Sequence, residues 1–378
     1  MPYYLAPDAC LKWLETKAVY RTASDELYEL DEQSYDFLGR CASADGCSSD
    51  APDFINYCLQ EGILTTIRIQ ANRPPLTPSP VPSLRYLELQ ITDRCNLRCK
   101  HCYINDTSSH ELSADQVEHI LTEFEEMQGL RVLITGGEPL LHSEFHTIND
   151  LLPRFMVRKV LFSNGLLITD RLLDNLRVDE IQISVDGLEA AHDSLRGKGT
   201  FRKAMEALAL CTRKGFAVSV STMVHSNNLD DFGRMDMIFR DMGVRDWTVD
   251  IPCAAGKLAE NREYLIQPEQ GGKYLTYGFG GGLHNGAEGY GCGLHLMAVL
   301  ADGRIAKCTF YADTSVGTAH DGLRACWKKI APVRLEDLAC DCAYLETCRG
   351  GCRYRAQLLS GSRGKDLYRC ALYDIMIT

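Results

Sequence analysis

The chain has 378 residues, a formal net charge of −11 and 17 cysteines. That length fits roughly two or three folding units with a sizeable core, and an acidic balance with no basic block excludes a nucleic-acid or anionic-membrane surface. No apolar run of about twenty residues and no signal sequence occurs, so the thiols point to metal ligation in a reducing cytoplasm and not to a disulfide framework.

Residues 1–70 read as a small separate unit. Strand-like runs at 18–21 and 27–30 flank a turn at Ala23, Ser24 and Asp25, which predicts a hairpin. Helical stretches at 32–41 and 51–61 follow, the second closed by Gly62. Cys10, Cys41, Cys47 and Cys58 lack a tight ligand spacing and are expected to be structural thiols. Pro74, Pro75, Pro78, Pro80 and Pro82 then crowd together and make 71–83 an extended, semi-rigid linker.

From residue 84 to 255 strand and helix alternate. Strand-like runs at 86–92, 131–135, 159–163, 180–185, 217–223 and 246–251 enclose amphipathic helices. The stretch 113–127 carries Val117, Ile120, Leu121 and Phe124 on one face, and 201–214 carries Ala204, Leu208 and Cys211. Such units imply parallel strands joined by helical crossovers. Chemically unusual residues fall just past strand ends: Cys95, Cys99 and Cys102; Gly136, Gly137 and Glu138; Ser163, Asn164 and Gly165; Ser184, Asp186 and Gly187; Asp250 and Pro252. In a parallel barrel these ends converge on one mouth, where active sites are built.

Cys95, Cys99 and Cys102 form a C-x3-C-x2-C triad on one short loop. Close thiolates suit a zinc knuckle completed by His101 or His110, or an iron–sulfur site with one metal position left free. Gly136 and Gly137 remove side chains where the backbone must approach a ligand, and Glu138 sets a carboxylate near it; a tight turn is the plainer alternative. Past residue 290 the thiols become dense again, with Cys292, Cys308, Cys326, Cys340, Cys342, Cys348, Cys352 and Cys370. Asp302 and Gly303 mark a hairpin whose second strand ends near Cys308. The glycine-rich stretch 278–293 reads as a flexible connector or an active-site border, and a pair of zinc sites is the plainer reading of the whole thiol field.

With Tyr103 after the third cysteine and Gly136, Gly137, Glu138 and Pro139 after the next strand, the chain resembles the radical S-adenosylmethionine (radical SAM) enzymes. Its second cysteine field resembles their SPASM extension: a cysteine, a G-x4-C from Gly303 to Cys308, the close set Cys340, Cys342, Cys348 and Cys352, and a last Cys370. C-x-C stands here where that family usually has C-x2-C. The resemblance implies an α/β fold, a partial (β/α)6 radical SAM barrel over 84–255 with a C-terminal iron–sulfur SPASM domain over 256–378. It also implies three [4Fe–4S] clusters, one SAM-binding and two auxiliary, together with S-adenosylmethionine. Cys95, Cys99 and Cys102 would hold the first cluster, whose open iron takes the amino and carboxylate groups of SAM. Cys340, Cys342, Cys348 and Cys370 would hold one auxiliary cluster, and Cys292, Cys308 and Cys352 the other. For the fourth position of that last site Cys326 is the nearest candidate, His295 and Cys253 are outsiders, and an open iron that binds substrate is the remaining option.

By the same resemblance Gly136, Gly137 and Glu138 bind the SAM amino group, and Ser184 and Arg196 meet its ribose and carboxylate. A guanidinium suits a carboxylate because two parallel hydrogen bonds fix its orientation; pairing of Arg196 with Asp186 or Asp193 is the structural alternative. The backbone of His101 would contact adenine, and residues 221–224 are either an adenine wall or strand core. Residues 1–70 look like the small winged-helix peptide-recognition domains similar to the chaperone of pyrroloquinoline-quinone biosynthesis, the alternative being an ordinary α+β cap on the barrel. The implied activity is reductive cleavage of SAM to a 5′-deoxyadenosyl radical that takes hydrogen from an unreactive carbon. The expected partners are a peptide or protein substrate, as in maturation of ribosomal peptides, and an electron donor such as flavodoxin or ferredoxin, with no nucleic acid and no membrane. Porphyrinoid side-chain decarboxylation is the alternative reaction, and a non-catalytic metal-loaded binding protein the alternative of another class. No residue stands out as the catalytic base; Asp250, Glu260 and Tyr311 are equal candidates.

Overall fold

The computed structural model describes residues 2–49, 51–68, 71, 73–104, 109–283 and 288–375, so 284–287 of the glycine-rich stretch and 69, 70 and 72 around the linker lie outside the described residues. The N-terminal unit runs β1 (Tyr4–Leu5), β2 (Ala9–Trp13), β3 (Lys17–Arg21), β4 (Glu26–Glu29), α1 (Glu32–Cys41), α2 (Pro52–Gln60) and β5 (Leu64–Thr65). Strands β2, β3 and β4 form an antiparallel sheet, and β1 pairs with β5. The expected hairpin is β3–β4, with Asp25 in left-handed backbone at its turn (φ 65°). Strand β2 is additional to the sequence reading. Its Lys12 reads as a solvent residue, yet it is buried and donates to the Gly129 carbonyl of the barrel at 2.7 Å. Leu11, Val19, Phe37, Leu38 and Ile55 give this unit a core of its own.

The barrel runs β6 (Tyr86–Thr92), α3 (Ala114–Glu126), β7 (Arg131–Gly136), α4 (Phe145–Leu151), β8 (Arg158–Ser163), α5 (Asp170–Asn175), β9 (Glu180–Ser184), α6 (Glu189–Arg196), α7 (Thr200–Arg213), β10 (Ala217–Met223), α8 (Phe232–Asp241) and β11 (Asp246–Asp250). Strands β6 to β11 lie side by side in chain order, every neighbour parallel. Helix α3 shows why the pattern was legible: Ser113 and Gln116 form a reciprocal capping box, and Val117, Ile120, Leu121 and Phe124 are buried at helical spacing. Losing the Ser113 cap would cost about 1 kcal/mol.

The N-terminal hairpin seals the end of the barrel opposite the cysteines. Arg158, the first residue of β8, is fully buried and donates to the carbonyls of Thr22 (2.7 Å) and Ala23 (2.9 Å) and to Glu180 (2.7 Å). Arg131, which opens β7, pairs with Asp25, and Arg245 donates to Ser24. A buried guanidinium needs such partners, because an uncompensated charge in a low-dielectric interior is costly.

The C-terminal part is less separate than the sequence reading had it. Strands β12 (Leu296–Val299), β13 (Arg304–Ala306) and β14 (Gly317–Thr318) extend the barrel sheet, β12 pairing parallel with β6. The Asp302–Gly303 turn is present, with Gly303 at φ 81°. This covers the open edge of β6, which would otherwise present unpaired backbone groups. Among the described residues no helix is long and apolar enough to cross a membrane.

Candidate active site at the barrel mouth

The loop that carries Cys95, Cys99 and Cys102 follows β6 and is held by backbone from three other segments. Gly137 N donates to Thr92 O and Glu138 N to Arg94 O, both at 2.8 Å, while Lys100 N donates to Leu195 O and Lys257 N to Cys102 O, both at 2.9 Å. The glycines serve this packing. A Cβ on Gly136 would stand 2.4 Å from Thr92 O, one on Gly137 2.4 Å from Arg94 O, and one on Gly256 2.4 Å from Cys102 O. The sequence reading assigned Gly136 and Gly137 to the approach of a ligand; the nearest atoms are the carbonyls of the cysteine loop itself.

Cys95, Cys99 and Cys102 line a cavity of about 300 Å³ together with Gly136, Gly137, Ser184 and Arg196, and His101 also faces it. All 17 cysteines are free thiols. Burial pushes the Cys99 thiol up to about 11, so a metal binding there displaces a proton. Arg196 is oriented by Asp186, which accepts from its Nε and is itself fully buried. Asp193 takes no part in that pair; it accepts from Phe201 N at 2.9 Å and from Gly199 N. The terminal amino groups of Arg196 have no protein partner among the described residues, which leaves a two-pronged donor at the cavity wall. Asp186 also accepts from Met223 N at 2.7 Å, and the Arg196 charge holds its carboxyl well below the usual range.

His101 Nε2 lies 3.8 Å from Asp186, and its buried Nδ1 has no partner. Burial lowers its pKa to about 4, so the ring is neutral. His110 pairs with Asp93 at 3.0 Å. Among the described residues no three Cys, His, Asp or Glu side chains are drawn together around a single metal-ion position. Three soft donors lining one cavity, a guanidinium whose terminal amino groups have no protein partner among the described residues and an unpartnered imidazole nitrogen fit an iron–sulfur cluster with SAM beside it.

Glu138 stands just past β7. Its carboxylate is fully buried and accepts from Ser163 Oγ at 3.0 Å and Asn164 N at 2.8 Å. Burial pushes its pKa up to about 7. It therefore fixes the end of β8 against the turn after β7. Ser221 and Met223 face the cavity, whereas Thr222 and Val224 are buried, an alternation of faces along the strand.

The candidate bases are elsewhere. Asp250 is paired with Arg355 at 2.9 Å, Glu260 is exposed, and Tyr311 reaches toward Gln357 at 3.4 Å. The sequence reading missed Glu88, a carboxylate that lines the cavity from the middle of β6 and accepts from Thr309 N at 2.8 Å. Its signal was available: an acid at the centre of a strand, on the face shared with Gln90 and Thr92.

Cys370 lies within electrostatic range of Cys340, Cys342 and Cys348. Cys292 and Cys308 lie near each other and near Cys352. Left-handed backbone at Arg349 (φ 53°), Gly350 (φ 74°) and Gly351 (φ 63°) turns the chain between Cys348 and Cys352. A Cβ on Gly351 would meet Asp366 Oδ2 at 2.4 Å, and that same oxygen accepts from Cys352 N at 2.8 Å. Asp366 also binds Arg355 through two bonds, at 2.7 and 3.0 Å, and Arg355 reaches the barrel at Ile251 O, 2.7 Å.

Residues 89–236 match the Radical SAM superfamily, which implies a [4Fe–4S] cluster and SAM. The AdoMet-dependent heme synthase of Oleidesulfovibrio alaskensis is 26% identical over 54% of this chain and 55% of its own length. The mycofactocin maturase MftC of Mycolicibacterium smegmatis is 35% identical over 38% of each chain. In these alignments the chain spans about half or less of the relatives' length. Streptococcus suis SuiB bound to its precursor peptide SuiA has the same fold, with a TM-score of 0.69 at 12% identity over 96% of this chain and 98% of that one. A partial barrel of parallel strands, a three-thiol loop at its mouth and the sequence match over the same stretch lead to one conclusion: residues 89–236 are a radical SAM domain.

Proposed function

We propose that this chain is a radical SAM/SPASM enzyme that reductively cleaves SAM and modifies a ribosomally made peptide or protein by hydrogen abstraction. The observation that carries the reading is the meeting, at one barrel mouth, of three free thiols on a C-x3-C-x2-C loop with a guanidinium whose terminal amino groups are unpartnered among the described residues. Cys95, Cys99 and Cys102 hold the SAM-binding cluster, which with SAM supplies a 5′-deoxyadenosyl radical. Arg196, aimed by Asp186, takes the carboxylate of SAM. The carbonyls of Gly136 and Gly137 take its amino group, Ser184 its ribose and the backbone of His101 its adenine. Glu88 is the carboxylate positioned to accept a proton from a substrate in the cavity.

Two auxiliary [4Fe–4S] clusters complete a set of three. Cys340, Cys342, Cys348 and Cys370 hold one, and Cys292, Cys308 and Cys352 contribute to the other; the nearness of the thiols within each group supports this division. Residues 84–255 are the catalytic barrel, 256–378 the SPASM domain, 71–83 the linker and 1–70 a leader-peptide reader. Strand β4 ends its sheet, and a free edge accepts an added peptide strand. The maturase relatives, and the fold shared with a protein bound to its precursor peptide, favour a peptide substrate. A cytoplasmic electron donor such as flavodoxin or ferredoxin supplies the reduction.

Porphyrinoid side-chain decarboxylation is the second reading, favoured by the heme synthase relatives. Mass spectrometry of small peptides co-expressed with the enzyme separates the two. A defined loss of hydrogens supports peptide cross-linking or oxidation. An unmodified peptide pool, together with carbon dioxide release from a porphyrinoid carboxylate, refutes it.

A further inference from the structure

We propose that a second cavity, beside the one lined by the cysteine loop, docks the substrate by a cationic side chain, a lysine ammonium or an arginine guanidinium, with Asp93 as its counter-charge. The proposal rests on the reading of the chain as a peptide-modifying enzyme and names the residue class that the peptide presents next to its reacting position. The second cavity measures about 230 Å³ and shares Asp93, Tyr103, Ile104, Thr309 and Phe310 with the first, so the two adjoin. Tyr103 directly follows Cys102, so a group held there lies against the end of the cysteine loop. Pockets that enclose a drug-sized molecule run to roughly 300–1,000 Å³; this one suits a single side chain.

Asp93 supplies the observation that points to a ligand. It lies between β6 and the first cysteine, lines both cavities, and its side chain is 7% exposed. One carboxylate oxygen, Oδ2, lies 3.0 Å from His110 Nδ1, while the other, Oδ1, is buried without a hydrogen-bond partner among the described residues. A buried carboxylate oxygen left unpaired is costly. A donor brought in by a ligand removes that cost, and a charged donor does so best.

The rest of the wall selects an organic cation. Asp302 and Asp313 add two carboxylates, against the single guanidinium of Arg304. Arg304 is engaged within the wall, its Nε donating to Asp302 Oδ2 at 2.6 Å and its Nη1 to Ala312 O at 2.8 Å. Tyr103, Phe310 and Tyr354 line the cavity as a row of rings, with 5.2 Å and 5.6 Å between successive centroids. Rings beside a carboxylate suit a lysine or arginine side chain, whose charge meets a ring face while its alkyl stem packs along the apolar wall. A metal ion fits less well, since among the described residues no three Cys, His, Asp or Glu side chains are drawn around one position. The carboxylates of a porphyrinoid would meet like charge here, so the wall also favours a peptide.

The test titrates the full chain, assembled anaerobically and saturated with SAM, with three probes by calorimetry: Nα-acetyl-lysine amide, Nα-acetyl-arginine amide and the uncharged isostere Nα-acetyl-norleucine amide. Both cationic amides should bind about tenfold more tightly than the norleucine amide. Asp93→Asn should erase that preference while iron content and SAM affinity stay at the wild-type level. Tyr354→Leu, which alters the wall from a distant stretch of chain, should weaken the cationic amides about threefold. The comparison of the three amides on the wild-type chain holds whether or not Asp93→Asn assembles its clusters. Equal binding of the norleucine amide, or no detectable binding of either cationic amide, overturns the proposal. So does an equal loss of SAM and lysine-amide affinity in Asp93→Asn, which would give Asp93 to SAM. In co-expression, a peptide modified equally well after its lysines and arginines are changed to glutamine overturns this proposal and leaves the peptide reading standing. Carbon dioxide release from a porphyrinoid beside unmodified peptides overturns both.

Discussion

Arg196→Lys tests the SAM clamp directly. In the structure the Nε of Arg196 is occupied by Asp186 and its two terminal amino groups have no partner among the described residues, so one guanidinium can hold Asp186 and still offer two parallel donors to a carboxylate. A lysine keeps the charge and cannot do both, since its single ammonium is a point donor drawn to the buried Asp186. At least one charge-assisted hydrogen bond to SAM is then lost, worth about 1.5–3 kcal/mol, which raises the dissociation constant about ten- to a hundredfold. Titration calorimetry with SAM, on wild-type and variant proteins matched for iron content, measures it. Iron content itself should not change, because no thiol is touched. Unaltered affinity in the lysine variant would refute the reasoning and leave Arg196 as a structural partner of Asp186 alone.

Gly137→Ala would drive a methyl group to 2.4 Å from Arg94 O; with backbone on both sides, the cysteine loop must move, and the reconstituted protein should lose about four of about twelve iron atoms. Gly233→Ala, which meets nothing within 4 Å, should hold its full complement, and equal iron in the two variants would refute the packing role. Asp25→Ala deprives Arg131 and Arg158 of a partner at the closed end of the barrel, and urea denaturation should show a loss of about 3 kcal/mol; a change under about 0.5 kcal/mol would show that the hairpin merely rests there. The buried Glu138 carboxyl, raised from 4.5 to about 7, keeps its proton in the folded chain across a range where the unfolded chain has lost it. Its stabilising contribution is therefore full below about pH 4.5 and disappears as pH rises through about 7, a fall of about 3 kcal/mol in the cluster-free protein. Glu138→Gln should lack that part of the slope, and parallel stability–pH curves for the two proteins would refute it.

The barrel was legible because each of its units is decided locally. Strands β6 and β10 and helix α1 keep the boundaries read from the pattern, and β7, β8, β9 and β11 each shift by one residue at an end. Strand β2 escaped because Lys12 breaks the apolar run, and only the barrel carbonyl it meets explains its burial. The Gly136–Gly137 pair was legible as a place where backbone approaches something, but not as to what, since the closest atoms belong to Thr92 and Arg94, two strands' ends away in the chain. Glu88 was overlooked for a related reason: one acid in a strand reads as a solvent position unless the strand is known to face the inside of a barrel.

The thiols show the same limit most sharply. Spacing placed Cys95, Cys99 and Cys102 together because a loop that short cannot separate them, and it grouped Cys340, Cys342 and Cys348 for the same reason. It favoured Cys326 for the open auxiliary position because Cys326 is nearest along the chain. Strands β11 and β13 stand far apart in the sheet, with β10 to β6 and β12 between them, and Cys326 lies in the hydrophobic core with its thiol donating to Thr318 O at 3.7 Å. Which thiols can share one cluster is thus set by how distant strands and loops fold together, which no spacing within one segment encodes.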